Sequence, residues 1–385
     1  MRKISINTIM FIGVFLGIFI AVTYARSMTV LYGSTEMILA AVCLLVLLVF
    51  YRKVDKRLLL IAVGVTLLSF FNGLLRGEIK SVILLSLSVL LPLVISGLPL
   101  RAEEDNRCCR WAFFLGAAIV LLEKNFTFFD GFDSNTLGFL SYMCLSVGFI
   151  WFLCCKNKLI PAVVLLIVVP FVLNTGSRNV AIVTAVTVLL LLLPKKWYTK
   201  KTVFRVLYLS VLVYTVFASA IMERGFEIPW LSDLLTDFTE QHSEKSWEME
   251  KRIVFLQDVK IMVENMPLFN KLFGEGVVLH HGHNMFYQSV FIYGYIGTAF
   301  IYVFFIRIFE MARKLVADHG DKIALGCTIA LLGCFMLNGA DVFLIGNEAC
   351  SIIPQVLMGV ILFRYRETIH SPERIEGSVR AHEPY

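Results

Sequence analysis

Residues 280–284 read "HHGHN": three of the seven histidines of the chain, a glycine and an asparagine. Three chemistries fit these side chains. Imidazoles bind zinc, with His281 and His283 alternating around Gly282, His280 folding back and Glu275 as a fourth ligand. That reading lacks the CxxC or HxxxH spacing that marks most zinc sites. Asn284 stands directly before the apolar run "MFYQSVFIYGYIGTAFIYVFFI" and can cap a helix by accepting a backbone N–H. A single histidine in the turn can orient or deprotonate a hydroxyl group. Two arginines extend the list. Arg178, in "LNTGSRNVAIVT", falls between two apolar runs, where a guanidinium either snorkels to water or binds something. Beside a helix start it can reach a phosphate together with backbone N–H groups. Arg252, in "SEKSWEMEKRIVFLQDVKIMVENMP", either meets an anion or pairs with a neighbouring glutamate on a solvated helix.

The elements that must position these residues follow from composition. The chain has 385 residues, of which 58% are hydrophobic and 17% charged, and its mean hydropathy is +0.77. A water-soluble fold of this length needs more polar surface, so the apolar residues must face lipid. Runs of mostly uncharged residues, most of them long enough to cross a hydrocarbon core of about 30 Å, recur about twelve times, the fifth being short. They lie near 5–24, 36–51, 58–75, 81–99, 110–123, 135–155, 159–175, 179–194, 204–222, 284–306, 323–339 and 350–363. The expected fold is an all-α polytopic membrane protein. Residues 1–222 carry the first nine spans, 223–283 form one large loop, 284–364 carry the last three, and 365–385 form a tail.

Basic residues sit in alternate connections, including "RKVDKR", "RAEEDNRCCR", "KNK" and "PKKWYTKK". The positive-inside rule then puts both termini in the cytoplasm and residues 178, 223–283 and 284 on the outer face. The net charge of +6 is thus a topology signal and implies no nucleic-acid partner. Residues 4–24 are long for the apolar part of a signal peptide and are expected to remain as a first helix. The nine cysteines offer no pair on the outer face and no zinc spacing, so a disulfide framework is not expected.

The large loop holds six basic and eleven acidic residues. An anion site there must therefore come from individual cations held in place. Within it, Glu244, Glu248 and Glu250 crowd the start of a helical pattern, where negative charge suits the helix dipole. Ile253, Leu256, Val259 and Val263 recur at spacings of three and four, and Pro267 stops the pattern. The apolar face of this amphipathic helix should rest on the membrane domain or at the lipid interface. No Walker loop, GxSxG, HExxH, GxGxxG or DxD motif occurs, which leaves a nucleotide-driven reaction without support, and "GEG" at 274–276 signals a turn.

Taken in order, "TGSRN" at a helix junction, "EKRIVFLQDVKIMVENMPLFNKLFGEG" in the large loop and "HGHNMFYQSVFIYGYIG" entering a helix resemble the O-antigen ligase and polymerase superfamily. The resemblance covers roughly residues 110–310, and "DSNTLGFLSYMCL" (133–145) resembles an asparagine-bearing segment of the same proteins. It implies a GT-C-like glycosyltransferase of the bacterial inner membrane, working at the periplasmic face without metal or cofactor. The implied donor is a glycan on undecaprenyl diphosphate, and for the ligase branch the acceptor is the lipid A–core oligosaccharide. The carried-over catalytic positions are Arg178, Arg252 and His283, with Asn284 and Asn135 as further substrate-binding positions. His280 and His281 depart from the pattern, and the "HN" pair selects His283. A single large loop favours ligase over polymerase. A transporter or flippase is a third reading, set back by helix centres that are nearly free of charge.

Overall fold

The structure, a computed structural model, describes residues 4–25, 29–76, 79–101, 110–111, 113–118, 134–173, 177–225, 257–276, 284–339 and 348–370. Thirteen helices have defined bounds among these residues. The first four are α1 (Ile6–Ala25), α2 (Thr29–Phe50), α3 (Lys56–Arg76) and α4 (Ile79–Gly97). The middle group is α5 (Ser134–Cys154), α6 (Leu159–Leu173), α7 (Arg178–Leu192), the short α8 (Lys195–Thr199) and α9 (Lys201–Gly225). The last four are α10 (Leu268–Phe273), α11 (Met285–His319), α12 (Lys322–Leu337) and α13 (Glu348–His370). Residues 257–265 are also helical. The one strand pairing among the described residues is a two-residue parallel ladder, Ile4–Ser5 with Leu100–Arg101.

The protein is therefore all-α, as expected. Among the described residues four helical segments are long and apolar enough to cross a membrane: Lys56–Leu75, Leu137–Cys154, Lys201–Ala218 and Met285–His319. Shorter apolar stretches lie at Thr8–Ile20, Leu87–Gly97, Leu159–Pro170, Asn179–Leu192 and Lys322–Leu337.

Helix α3 shows how the sequence divides its faces. Leu60, Leu67, Phe71 and Leu74 lie along one stripe and are more than half exposed. Leu58, Ala62, Val65, Ser69 and Asn72 form the opposite stripe and are buried. A helix with large apolar side chains on its open face and small or polar ones on its closed face is built for lipid outside and protein inside. In water each such side chain would cost about 1.5–3 kcal/mol to leave uncovered. Within the bundle, Ser69 returns its hydroxyl to the Val65 carbonyl at 2.9 Å, which satisfies it without a partner helix.

α5, α12 and α13 form the closed centre. α5 packs on α12, α6 and α7, α12 packs on α13, and α4 packs on α13. Along α12 nearly every side chain from Ile323 to Leu337 is buried. Small residues permit this closeness: a Cβ on Gly326 would meet Ile150 Cγ1 at 2.8 Å. Tyr142 OH lies 3.1 Å from Thr187 Oγ1 and donates to the Ala330 carbonyl at 3.2 Å, tying α5, α7 and α12 at one level.

Basic residues converge at one end of the bundle. Glu310 of α11 receives Arg205 Nε at 2.7 Å, Tyr208 OH at 2.7 Å and Arg313 Nε at 2.9 Å. Arg364 of α13 pairs with Asp321, whose Oδ1 also caps α12 by accepting from Ile323 N and Ala324 N, both at 2.9 Å. Arg366 donates to the Ser96 carbonyl at the end of α4. At the same corner Tyr198 of α8 is buried and donates to the Leu190 carbonyl, and burial pushes its phenol up from the ordinary value. α3, α9 and α12 begin at this basic end, whereas α5, α7, α11 and α13 begin at the other.

Candidate functional site

The end of the bundle away from the basic residues gathers Asn284 and the start of α7, which begins at Arg178, around one turn. Asn284 is the N-cap of α11 and is fully buried. Its Oδ1 accepts from Phe286 N at 2.9 Å and Tyr287 N at 3.1 Å. Its Nδ2 donates to the Gly339 carbonyl at 2.9 Å and to the Thr215 carbonyl at 3.1 Å. A side-chain amide has two donors and two acceptor sites, so all four are in use. Met285 N completes the start of α11 by donating to the Asn338 carbonyl at 3.0 Å.

The same turn holds the start of α7. Asn179 Nδ2 donates to the Leu337 carbonyl at 3.4 Å, one residue after Arg178, which is the first residue of that helix. Leu337, Asn338 and Gly339 thus accept, in order, from α7, from the α11 backbone and from the α11 cap. Asn338 is itself fixed, with its Nδ2 on the Cys334 carbonyl at 2.7 Å. Tight packing beneath it, where a Cβ on Gly339 would lie 3.1 Å from Ala218 Cβ, brings α9 and its Thr215 against the turn.

Asn135 reaches the same end by register. In the antiparallel α5–α12 pair Ile150 packs at Gly326 and Tyr142 at Gly333. Continuing that register brings the first turn of α5, with Asn135, level with the residues just past Leu337. The backbones of Asn135, Arg178 and Asn284 therefore share one end of the bundle. Arg252 and His283, with His280 and His281, lie outside the described residues, as do the side chains of Asn135 and Arg178.

The part of the large loop that is described packs onto α11. In helix 257–265 and the residue after it, Val259, Val263 and Met266 are buried, and Val263 and Met266 cluster with Val290. Val259 and Val263 belong to the expected apolar face, whose Ile253 and Leu256 lie outside the described residues, and the chain turns at Pro267, the N-cap of α10. Ile261 and Met262 stay about half exposed, which gives the helix a second apolar edge.

The "GEG" turn does more than reverse the chain. α11 is broken at Gly294, whose backbone has φ 67° and ψ 178°. At the break the carbonyls of Phe291 and Ile292 accept from Glu275 N at 2.7 Å and Gly276 N at 2.9 Å. Unsatisfied carbonyls inside a membrane cost several kcal/mol each, so a broken helix persists there only if other groups meet them. Asn72 of α3 donates from Nδ2 to the Phe273 and Gly274 carbonyls, closing the interlock from a third side. Glu275 is buried in the turn and accepts from Asn270 Nδ2.

Sequence reasoning missed Asn72, Thr215, Asn338 and the Gly294 break. Asn72 carried a signal, being an amide inside the apolar run "SFFNGLL". Among the described residues no three His, Cys, Asp or Glu converge on one point. No protein-family model matches the chain, and no curated protein matches it.

Proposed function

We propose that the protein is a membrane glycosyltransferase that moves a glycan from undecaprenyl diphosphate to the lipid A–core oligosaccharide, as an O-antigen ligase of the bacterial inner membrane. In this reading about twelve spans form a GT-C-like bundle with both termini in the cytoplasm, and residues 223–283 are a periplasmic loop. What supports it above all is the Leu337–Gly339 turn, which carries hydrogen bonds from the start of α7 beside Arg178 and from the start of α11 beside His283. Two positions 105 residues apart, chosen by their motifs, border one structural element.

The chemistry asks for such a convergence. Displacing a diphosphate from an anomeric carbon builds negative charge on the leaving oxygen. Guanidinium groups fixed at that oxygen stabilise it, and Arg178 and Arg252 are assigned that work. α7 contributes its N-terminal partial positive charge at Arg178, and Ser177 forms no side-chain cap over its first turn. His283 orients the acceptor hydroxyl and takes its proton. Asn284 acts by position: its amide is saturated, so it fixes where the preceding histidine begins rather than touching sugar. Asn135 stands at the same end as a donor contact.

The test is glycan transfer by Arg178→Ala, Arg252→Ala and His283→Ala proteins that insert and unfold like wild type. Loss of transfer in all three is expected, and near-normal transfer in all three overturns the assignment. The lipopolysaccharide of a deletion strain separates the branches. Bare core with polymer retained on the carrier identifies a ligase, core with one repeat unit a polymerase, and repeat units stranded on the cytoplasmic leaflet a flippase.

A further inference from the structure

The basic end of the bundle holds a cavity of about 340 Å³ that the proposed transfer reaction does not use. It opens between the turn after α2, the start of α3, the end of α4, and the α11 and α13 helices. Its floor is apolar, with Leu58 and Leu93 fully buried and Leu362 nearly so. Its rim carries Arg52, Lys53 and Arg366 against one carboxylate, Asp55, for a lining charge of +3 − 1 = +2. Asp55 is partly occupied, its Oδ1 accepting from Arg57 N at 2.9 Å and Leu58 N at 3.0 Å.

The three cations are held differently. Arg366 is pinned: it donates to the Ser96 carbonyl, to the Leu98 carbonyl at 3.3 Å and to Glu367 at 3.1 Å. Of its five N–H groups, these bonds leave the Nε–H and one Nη1–H. Arg52 and Lys53 are exposed and form no ion pair among the described residues. Their contacts are with aromatic rings, Arg52 with Tyr51 and Lys53 with Phe50. Two mobile-length cations and one fixed guanidinium around an apolar floor fit an anion that carries a hydrocarbon part.

The wall beside the mouth says where that hydrocarbon comes from. Leu48 and Val49, on the last turn of α2 just before Arg52, are 73% and 71% exposed, and Leu60 of α3 is 72% exposed. These side chains belong to the lipid-facing surface. A volume near the lower end of ligand pockets, roughly 300–1,000 Å³, suits a headgroup whose chains stay outside along that surface.

We propose that this cavity binds the phosphate of an anionic phospholipid from the leaflet at the basic end. The phosphate sits between Arg52, Lys53 and the remaining N–H groups of Arg366, and the acyl chains run along Leu48 and Leu60. The full-length protein in detergent, titrated with phosphatidylglycerol and read by native mass spectrometry and thermal unfolding, tests this. Arg52→Gln/Lys53→Gln removes two exposed charges, so folding is preserved. Its affinity for phosphatidylglycerol should fall about 30-fold, the factor that two basic groups supply at an anionic headgroup. Lys200→Gln/Lys201→Gln, exposed at the same end but away from the cavity, should bind as wild type does. Phosphatidylcholine should bind wild type far more weakly, and millimolar inorganic phosphate should not displace the lipid. Equal loss in both double variants, unchanged binding in the first, equal binding of the two lipids, or displacement by inorganic phosphate would each overturn the proposal.

Discussion

Gly294→Ala should be among the most damaging single substitutions in the chain, and a second glycine isolates the reason. Both Gly294 and Gly320 have positive φ, 67° and 64°. A Cβ on Gly320 meets nothing within 4 Å, whereas a Cβ on Gly294 would lie well inside contact distance of the Leu272 carbonyl and of Phe273 N. Gly320→Ala therefore costs the backbone term alone, about 1–2 kcal/mol. Gly294 sits at φ 67°, ψ 178°, a region that side chains avoid at about 1–3 kcal/mol, and the overlap adds about 1–3 kcal/mol. The neighbour cannot yield cheaply, because the overlapping atoms are backbone that holds the Glu275 N and Gly276 N bonds to α11. Gly294→Ala should thus cost about 2–6 kcal/mol and detach the turn that leads toward His283. Buried Cys43, Cys144, Cys327 and Cys334 give the assay, since a thiol-reactive fluorophore labels them as the bundle unfolds. The expected result is a large fall in unfolding temperature and loss of transfer for Gly294→Ala, against a small fall and normal transfer for Gly320→Ala. Equal falls in the two variants would refute the interlock.

Asn284→Ala removes a cap worth about 1 kcal/mol and two donors to the buried Thr215 and Gly339 carbonyls. A loss of about 2–4 kcal/mol in unfolding free energy is expected. Asn284→Asp keeps the cap but turns a charge on those carbonyls, so it should be worse, and the order of the two unfolding temperatures checks this. Glu310→Gln leaves the buried Arg313 without its carboxylate. It should cost about 1–3 kcal/mol, less than a fully buried pair because Glu310 is 26% exposed. Arg205→Ala, at the exposed side of the same carboxylate, should change stability little. Transfer by purified protein should survive a strong chelator. A loss restored by zinc would instead return His281 and His283 to the role of metal ligands.

Much of the fold was legible because each helix needs only its own sequence to satisfy its backbone in lipid. The expected runs at 58–75, 135–155 and 323–339 correspond to α3, α5 and α12 within two residues at each end. The amphipathic helix of the loop was legible in Val259 and Val263, and its stop in Pro267, for the same local reason. α11 was underread at its far end. Its apolar run closes near residue 306, but the helix continues to His319 because Glu310 and Arg313 satisfy each other and Arg205 from α9. Long-range partners of this kind leave no periodic trace. The Gly294 break was invisible for a similar reason, since its cause is the turn at 274–276 and the amide of Asn72, 222 residues earlier in the chain.

The "HHGHN" cluster divides into two physically different parts. Asn284 spends every hydrogen-bonding group of its side chain on α9, on the turn after α12 and on its own helix. The side-chain amide is saturated and serves as an anchor. Gly276 is anchored in the same manner through Ile292, ten residues on the near side of Tyr302, which itself touches Thr215 at 2.7 Å. Gly276 and Asn284, with seven residues between them in the chain, are thus both tied to a frame made by α3, α9, α11 and α12. A histidine bonded directly to such an anchor has its Cα about 3.8 Å from the Cα of a buried residue, whereas His281 and His280 stand three and four residues away from Asn284. That difference in tether length favours His283 for a task requiring accurate alignment. It yields a discriminating result: His283→Ala should abolish transfer at unchanged stability, His280→Ala and His281→Ala should leave it near normal, and Asn284→Ala should lose transfer and stability together.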